Sequence, residues 1–241
     1  MTIRCETRDD GANLVIAVIG ELRLTDTVPL RERLLKCLAE QPGALLVDLT
    51  GLHVEQAPSL AVFTAVLRQA ARWPGTPVLL YGPPAQTRRL LLAGAFRRLP
   101  LYDDRAGAIA HLHDERRSRP SVIDQLLPVS GSARHARDVA TEACLRWDLP
   151  HLVAPASLIA TELVANVIDH VHTMMTLHLT LRPRYLHVAV RDGSPVPPDP
   201  PGKIRPETAG GRGLLLVGEL AHSWGWLPSK DGKVVWASLR R

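Results

Sequence analysis

Aromatic side chains are scarce in this chain, with Phe, Trp and Tyr together making up 4% of 241 residues. Its core must therefore rest on Leu, Val and Ala. Cysteine is scarcer still: Cys5, Cys37 and Cys144 are too few and too scattered for a disulfide framework or a Cys-based zinc site. A P-loop is missing, which removes nucleotide chemistry by that route. No stretch reads as a membrane span, and no basic-then-apolar leader opens the sequence. The expectation is a soluble protein of a reducing cytoplasm. The chain also lacks a concentrated block of one charge. Its formal net charge is +5, but Lys and Arg number 16 against 13 Asp and Glu up to Pro120, and 13 against 11 beyond it. The densest run, Arg116, Arg117 and Arg119, lies beside Asp114 and Glu115 and reads as a solvated linker rather than a nucleic-acid contact.

What is present is globular material. Hydrophobic residues make up 46% and charged residues 22%, and the length allows one large domain or two small ones. Up to about residue 112 strand-like and helix-like segments alternate. Apolar runs at 13–19, 44–49 and 77–81 read as strands; residues 27–39, 60–71 and 86–93 carry helical periodicity. Such alternation predicts a sheet with helical crossovers. Apolar residues vanish over 113–120, which predicts a domain at 1–115, a linker at 116–121 and a second domain at 122–241. In the second part, helices are predicted over 133–147 and 156–171, the latter opened by Pro155. A hairpin follows over 174–181 and 185–190. After a Pro- and Gly-rich stretch comes a short helix over 212–220. Strands at 223–227 and 233–239, turned by Asp231-Gly232, close the chain.

Chemistry concentrates in the second part. Glu162, Asn166 and His170 recur every four residues and share one helical face, beside an apolar stripe of Ile159, Leu163, Val167 and Val171. An amide oxygen at Asn166 can complete a magnesium shell shared with phosphate and water. A carboxylate one turn earlier, at Glu162, can accept a hydrogen bond from a hydroxyl or water nucleophile. Asp192 closes a predicted strand, where a fixed carboxylate can accept the exocyclic amine proton of adenine; Gly193 lets the backbone approach the ring. Gly210-Gly211-Arg212-Gly213 directly precedes an apolar helix, so backbone N–H groups and the helix N-terminus can hold phosphate, with Arg212 adding a charge-assisted contact. The histidine pairs His111/His113 and His170/His172 are spaced by two, which does not align ligands on a helix, and they read as exposed or capped imidazoles.

Three segments in this order carry a family resemblance. Glu162-Leu163-Val164-Ala165-Asn166, Val190-Arg191-Asp192-Gly193-Ser194-Pro195 and Gly210-Gly211-Arg212-Gly213-Leu214-Leu215-Leu216-Val217 resemble the N box and two glycine boxes of the histidine-kinase-like ATPases. They are most similar to the anti-sigma-factor serine kinase branch, as are the closing Trp224-Gly225-Trp226 and Gly232-Lys233-Val234-Val235-Trp236. The resemblance implies a Bergerat α/β sandwich, with helices on one face of a mixed sheet, binding ATP with Mg²⁺. It implies Glu162 as general base, Asn166 as magnesium ligand, Asp192 as adenine anchor, and Gly193, Gly211, Arg212 and Gly213 as further nucleotide contacts. It also implies a homodimer through the ATPase domain. Two departures stand out: Asp-Gly-Ser-Pro replaces the widespread Asp-x-Gly-x-Gly, and the lid before Gly210 is short and proline-rich.

Over roughly residues 3–112 the chain resembles a STAS domain, the anti-sigma-factor antagonist fold, in Val15–Leu22, Leu46–Leu52 and Pro77–Gly82. That implies a small α/β sheet flanked by helices, and partners among sigma factors and STAS antagonists rather than nucleic acid or membrane. The family's phosphoacceptor serine falls at Pro58 here, which has no hydroxyl. Ser59, one residue on, is the remaining candidate phosphoacceptor, and the pattern favours a helix N-cap role for it.

Two readings follow. One is an ATP-binding anti-sigma-factor regulator with protein-serine kinase activity. The other is a catalytically silent interaction protein that uses both folds as docking modules, the first half acting as a non-phosphorylatable decoy. A two-component histidine kinase ranks below both, because residues 1–120 read as a strand-bearing globular domain and not as a dimerising helical hairpin.

Overall fold

The computed structural model describes residues 3–115, 120–198 and 213–241. It divides into two compact α/β units, Met1–Arg117 and Ser118–Arg241.

The first unit starts with β1 (Arg4–Asp10) and β2 (Asn13–Leu22), an antiparallel hairpin whose turn uses Gly11 at φ 63°. Then follow α1 (Thr27–Ala39), β3 (Leu45–Asp48), β4 (Leu52–Val54), α2 (Ala61–Arg72), β5 (Val78–Tyr81), α3 (Ala85–Leu91), β6 (Leu101–Tyr102) and α4 (Arg105–Glu115). The sheet order is β1-β2-β3-β5-β6, with β4 also on β2, and every pair beyond the first hairpin is parallel. Parallel strands covered on both faces read as unbroken apolar runs, as in Val78–Tyr81, where every residue is buried. Val15, Leu46 and Leu79 meet Ala108 and Leu112 of α4, while α1 and α2 pack on each other. Tyr81 Oη donates to Asp48 Oδ2 at 3.0 Å, and Asp48 Oδ1 accepts from Thr50 N and Oγ1 at 3.0 and 2.8 Å. Burial first, then the Asp48 carboxylate, pushes the Tyr81 phenol up to about 12.

Several boundaries differ from expectation, and each has a cause. β2 runs three residues past Ile19 because Gly20–Leu22 find a second partner in β4, Gly20 opposite Leu52. β1 alternates charged residues on an edge, β4 and β6 are two or three residues long, and none shows an apolar run to read. The helix expected from residue 60 is preceded by a 3₁₀ turn, Ala57–Leu60.

The second unit contains β7 (Ser121–Leu126), α5 (Ser130–Arg146), α6 (Val153–His170), β8 (Met175–Leu181), β9 (Tyr185–Asp192), α7 (Gly213–Leu220), β10 (Ser223–Pro228) and β11 (Lys233–Arg240). Its sheet has the order β10-β11-β9-β8-β7, antiparallel throughout. β7 was not expected; it is an edge strand with an exposed Ile123, and Ser121, assigned by pattern to a linker, is its first residue.

All three helices contribute to one core over this sheet. Leu177, Leu179, Leu186, Val188, Val190 and Ala237 meet Ala136, Ala140, Ile159, Leu163, Val167 and Val217. Small residues on α5 let it lie close along α6. Between those helices Asp148 takes φ 57° and Leu149 N donates back to Cys144 O at 2.8 Å, a Schellman closure that stops α5. α6 begins at Val153, after a 3₁₀ turn Pro150–Leu152, with Pro155 in its first turn. The expectation that no stretch could span a membrane needs correction. Pro150–His170, 21 residues containing an 18-residue window of mean hydropathy 1.5, is long and apolar enough by length and composition. Its apolarity has another use here, because Ala156, Ile159, Ala160, Leu163, Val164 and Val167 are buried in the core of this unit.

Candidate functional site

On α6 the apolar stripe turns inward and leaves the neighbouring face half open. Ile159, Leu163 and Val167 are buried, Glu162 and Asn166 are half-buried, and His170 is exposed. The four-residue spacing therefore does what the sequence implied: it puts a carboxylate and an amide one turn apart at the edge of the core. Gly213, the first residue of α7, stands directly against Glu162. A Cβ added there would fall on Glu162 Oε2 and lie 3.5 Å from its Cδ. Only glycine leaves the carboxylate that position. Gly210, Gly211 and Arg212, the rest of the expected phosphate loop, lie outside the described residues.

Asp192 ends β9, directly opposite Met175 of β8 and Lys233 of β11. Strand alternation places it on the same side as Val188 and Val190, the side on which α6 packs. Its side chain is 1% exposed. Oδ1 accepts from Ser194 N at 2.8 Å and from Lys233 Nζ at 2.9 Å. Oδ2 is buried and, among the described residues, has no hydrogen-bond partner.

The corner after Asp192 is tightly built. Gly193 N donates to Thr173 Oγ1 at 3.0 Å. The β10–β11 turn presses on it from the other side: a Cβ on Gly232 would fall on the Asp192 carbonyl oxygen and stand 2.8 Å from both Cα and C of Gly193. That turn is braced by Ser229 N donating to Gly232 O at 2.9 Å, and by Arg191, whose Nη2 and Nε donate to Asp231 Oδ1 at 2.5 and 3.1 Å. The Arg191 hydrogen bond holds the Asp231 carboxyl below its ordinary value.

Sequence reasoning missed Lys233, Thr173 and Gly232. Lys233 carries a weak signal, a cation opening the apolar run Val234–Ala237, but its pairing with Asp192 depends on strand register. Among the described residues no group of three His, Cys, Asp or Glu side chains could hold a metal ion.

The structure contradicts one assignment. Ser59 lies inside the 3₁₀ turn, fully buried, and its Oγ donates to Gln56 O at 2.7 Å. An N-cap side chain accepts from a backbone N–H; this one donates to a carbonyl and caps nothing.

Residues 130–239 match the family model described as histidine kinase-like ATPase domain, and residues 5–101 match the one described as Mlab, STAS domain. No curated protein matches the chain. Similar solved structures include an anti-sigma factor antagonist from Mycobacterium paratuberculosis, at 23% identity and TM-score 0.41, spanning 47% of this chain and 96% of that one. Another is a serine-to-glutamate variant of RsbS from Moorella thermoacetica, at 20% identity and TM-score 0.39, spanning 48% of this chain and 99% of that one. This chain thus joins a member of the STAS domain family, residues 5–101, to a member of the histidine kinase-like ATPase family, residues 130–239.

Proposed function

We propose that this protein is an ATP-binding anti-sigma-factor-type regulator of transcription with protein-serine kinase activity, acting in the cytoplasm by partner switching with STAS antagonists and sigma factors. The observation that carries the reading is the Asp192 carboxylate, buried at the end of β9 with Oδ2 unpartnered among the described residues. A buried acceptor without a donor costs free energy, and a purine amine removes that cost. The remaining residues fit a magnesium nucleotide as well. Glu162 has room for its carboxylate only because residue 213 is glycine.

Each residue then has a chemical task. Asp192 accepts a hydrogen bond from the adenine amine, and Gly193 keeps the strand end free of side-chain bulk. Asn166 offers its amide oxygen to the magnesium ion, which supplies charge neutralisation at the phosphates. Glu162 takes the proton of the attacking seryl hydroxyl as its oxygen bonds to the terminal phosphorus and ADP leaves. Gly211, Arg212 and Gly213 hold phosphate oxygens through backbone N–H groups, the guanidinium and the start of α7. Isothermal titration of the full chain with Mg-ATP tests the reading. Binding is expected for the wild type and a loss of at least about tenfold for Asn166→Ala. No heat from the wild type refutes it.

A second reading is favoured by one observation. Pro58 has no hydroxyl and Ser59 is buried, so the STAS domain offers no acceptor at that segment. In this reading the STAS domain is a decoy that docks on a kinase without being phosphorylated, and the ATPase-like domain only binds partners. Phosphate transfer from labelled ATP to a separate STAS protein distinguishes the two: transfer supports the kinase, and nucleotide binding without transfer supports the docking protein.

A further inference from the structure

We infer that Lys233 is a positioning residue that makes the Asp192 site selective for a 6-amino purine over a 6-oxo purine; this rests on the nucleotide reading above. Lysine is among the residues least often buried, yet the side chains of Lys233 and Asp192 are 6% and 1% exposed. Nζ donates to Asp192 Oδ1 at 2.9 Å, and its next acceptor is Ser194 O at 3.4 Å. The backbone N–H of Ser194 takes the same carboxylate oxygen. Two donors therefore converge on Oδ1, and neither touches Oδ2.

This asymmetry has a consequence for recognition. Torsion about the last bond of an aspartate is broad and roughly two-fold, so an untethered carboxylate exposes either oxygen in several orientations. With Oδ1 held by an ammonium and an amide, one oxygen with a fixed direction remains. The ammonium also leaves the carboxylate with acceptor capacity only. Such an oxygen meets the 6-amino group of adenine as donor to acceptor. It meets the 6-oxo group of hypoxanthine or guanine as acceptor to acceptor. Without the cation, the carboxylate is freer to turn about its last bond, and no single oxygen is held toward the 6-position. The β9–β11 register enforces the arrangement, since Lys233 stands directly across from Asp192.

The test compares ATP with ITP, which differ at the 6-position, by titration into the full chain with magnesium. The wild type is expected to prefer ATP by about tenfold or more. Lys233→Met is expected to bring the two affinities within about threefold, by losing ATP affinity. Lys233→Arg keeps the charge and is expected to keep the preference, with weaker binding because the larger guanidinium fits poorly where a buried ammonium sits. A purely structural role would lower both affinities together and leave their ratio alone. Wild type that binds ITP as well as ATP overturns the inference, as does an unchanged ratio in folded Lys233→Met. Where Lys233→Met does not fold, Lys233→Arg decides, and loss of its ATP preference overturns the inference. Wild type that binds neither nucleotide fails the nucleotide reading itself, a result distinct from ATP binding without discrimination.

Discussion

Alanine placed at Gly232 and at Gly213 adds the same methyl group, and the structure assigns the two substitutions opposite consequences. At Gly232 the obstacle is backbone: the Asp192 carbonyl oxygen, and Cα and C of Gly193 at 2.8 Å. Carbon atoms rest at about 3.5–4.0 Å, so one of the two chains must retreat by roughly an ångström. Neither is free to do so. Asp192 sits in register with both Met175 and Lys233, and the turn is anchored through Asp231 to Arg191. Overpacking costs about 1–3 kcal/mol, and a rigid central-strand corner belongs at the upper end. At about 4 °C per kcal/mol for a unit of this size, Gly232→Ala should melt about 10 °C lower.

At Gly213 the obstacle is the far end of a side chain, the Glu162 carboxylate. It swings aside at little cost, and alanine in the first turn of α7 does not strain the helix. Gly213→Ala should melt within about 2 °C of the wild type. If Glu162 is the general base, the same variant should lose phosphoryl transfer by about 10²-fold or more. Differential scanning calorimetry of the full chain, paired with a kinase assay, reads both. Equal melting of Gly232→Ala and wild type would refute the packing argument. Full phosphoryl transfer by a folded Gly213→Ala would refute the role of Glu162.

Two further outcomes follow from burial. Leu163→Ala removes a side chain 2% exposed in the core of the second unit, and should cost about 2–5 kcal/mol, read as a lower urea midpoint. His178 and His187 are neutral in the folded chain: burial first, and then the Arg182 charge, push them down to about 4 and about 3. The unfolded chain takes up these protons as pH falls below about 6.5, while the native state does not, so their contribution to stability is full above that value and declines below it. The loss flattens only once pH passes below about 4 and about 3. Between pH 7 and 5 each histidine should cost about 2 kcal/mol. Urea melts at the two pH values check this, with His187→Gln expected to remove about half of the slope.

Periodicity made much of this protein legible before any coordinates. Residues 27–39 have Leu30, Leu34, Leu35 and Leu38 at helical spacing, and the helix occupies that span. Asn166 and Glu162 could be placed on one face from their spacing alone. Elements whose order comes from neighbours were not legible. β1 and β7 are polar edge strands held by register, and β4 exists because β2 overhangs. α4, residues Arg105–Glu115, has weak amphipathic patterning and buries only a few residues, so its period does not stand out. The N-cap reading of Ser59 failed because the 3₁₀ turn starts earlier, with Gln56 as its N-cap, and Ser59 Oγ donates to Gln56 O at 2.7 Å while standing 3.5 Å from the distant Leu22 O.

Sequence alone determined the two α/β halves, the helix carrying Glu162 and Asn166, and the strand end carrying Asp192, because each depends on residues close together along the chain. Tertiary structure decided which groups meet. Lys233 reaches Asp192 across 41 positions, and Gly213 gives Glu162 its room from another helix. Such pairings depend on strand register and helix packing, which are set by the burial of the whole core and leave no local mark on the residues they join.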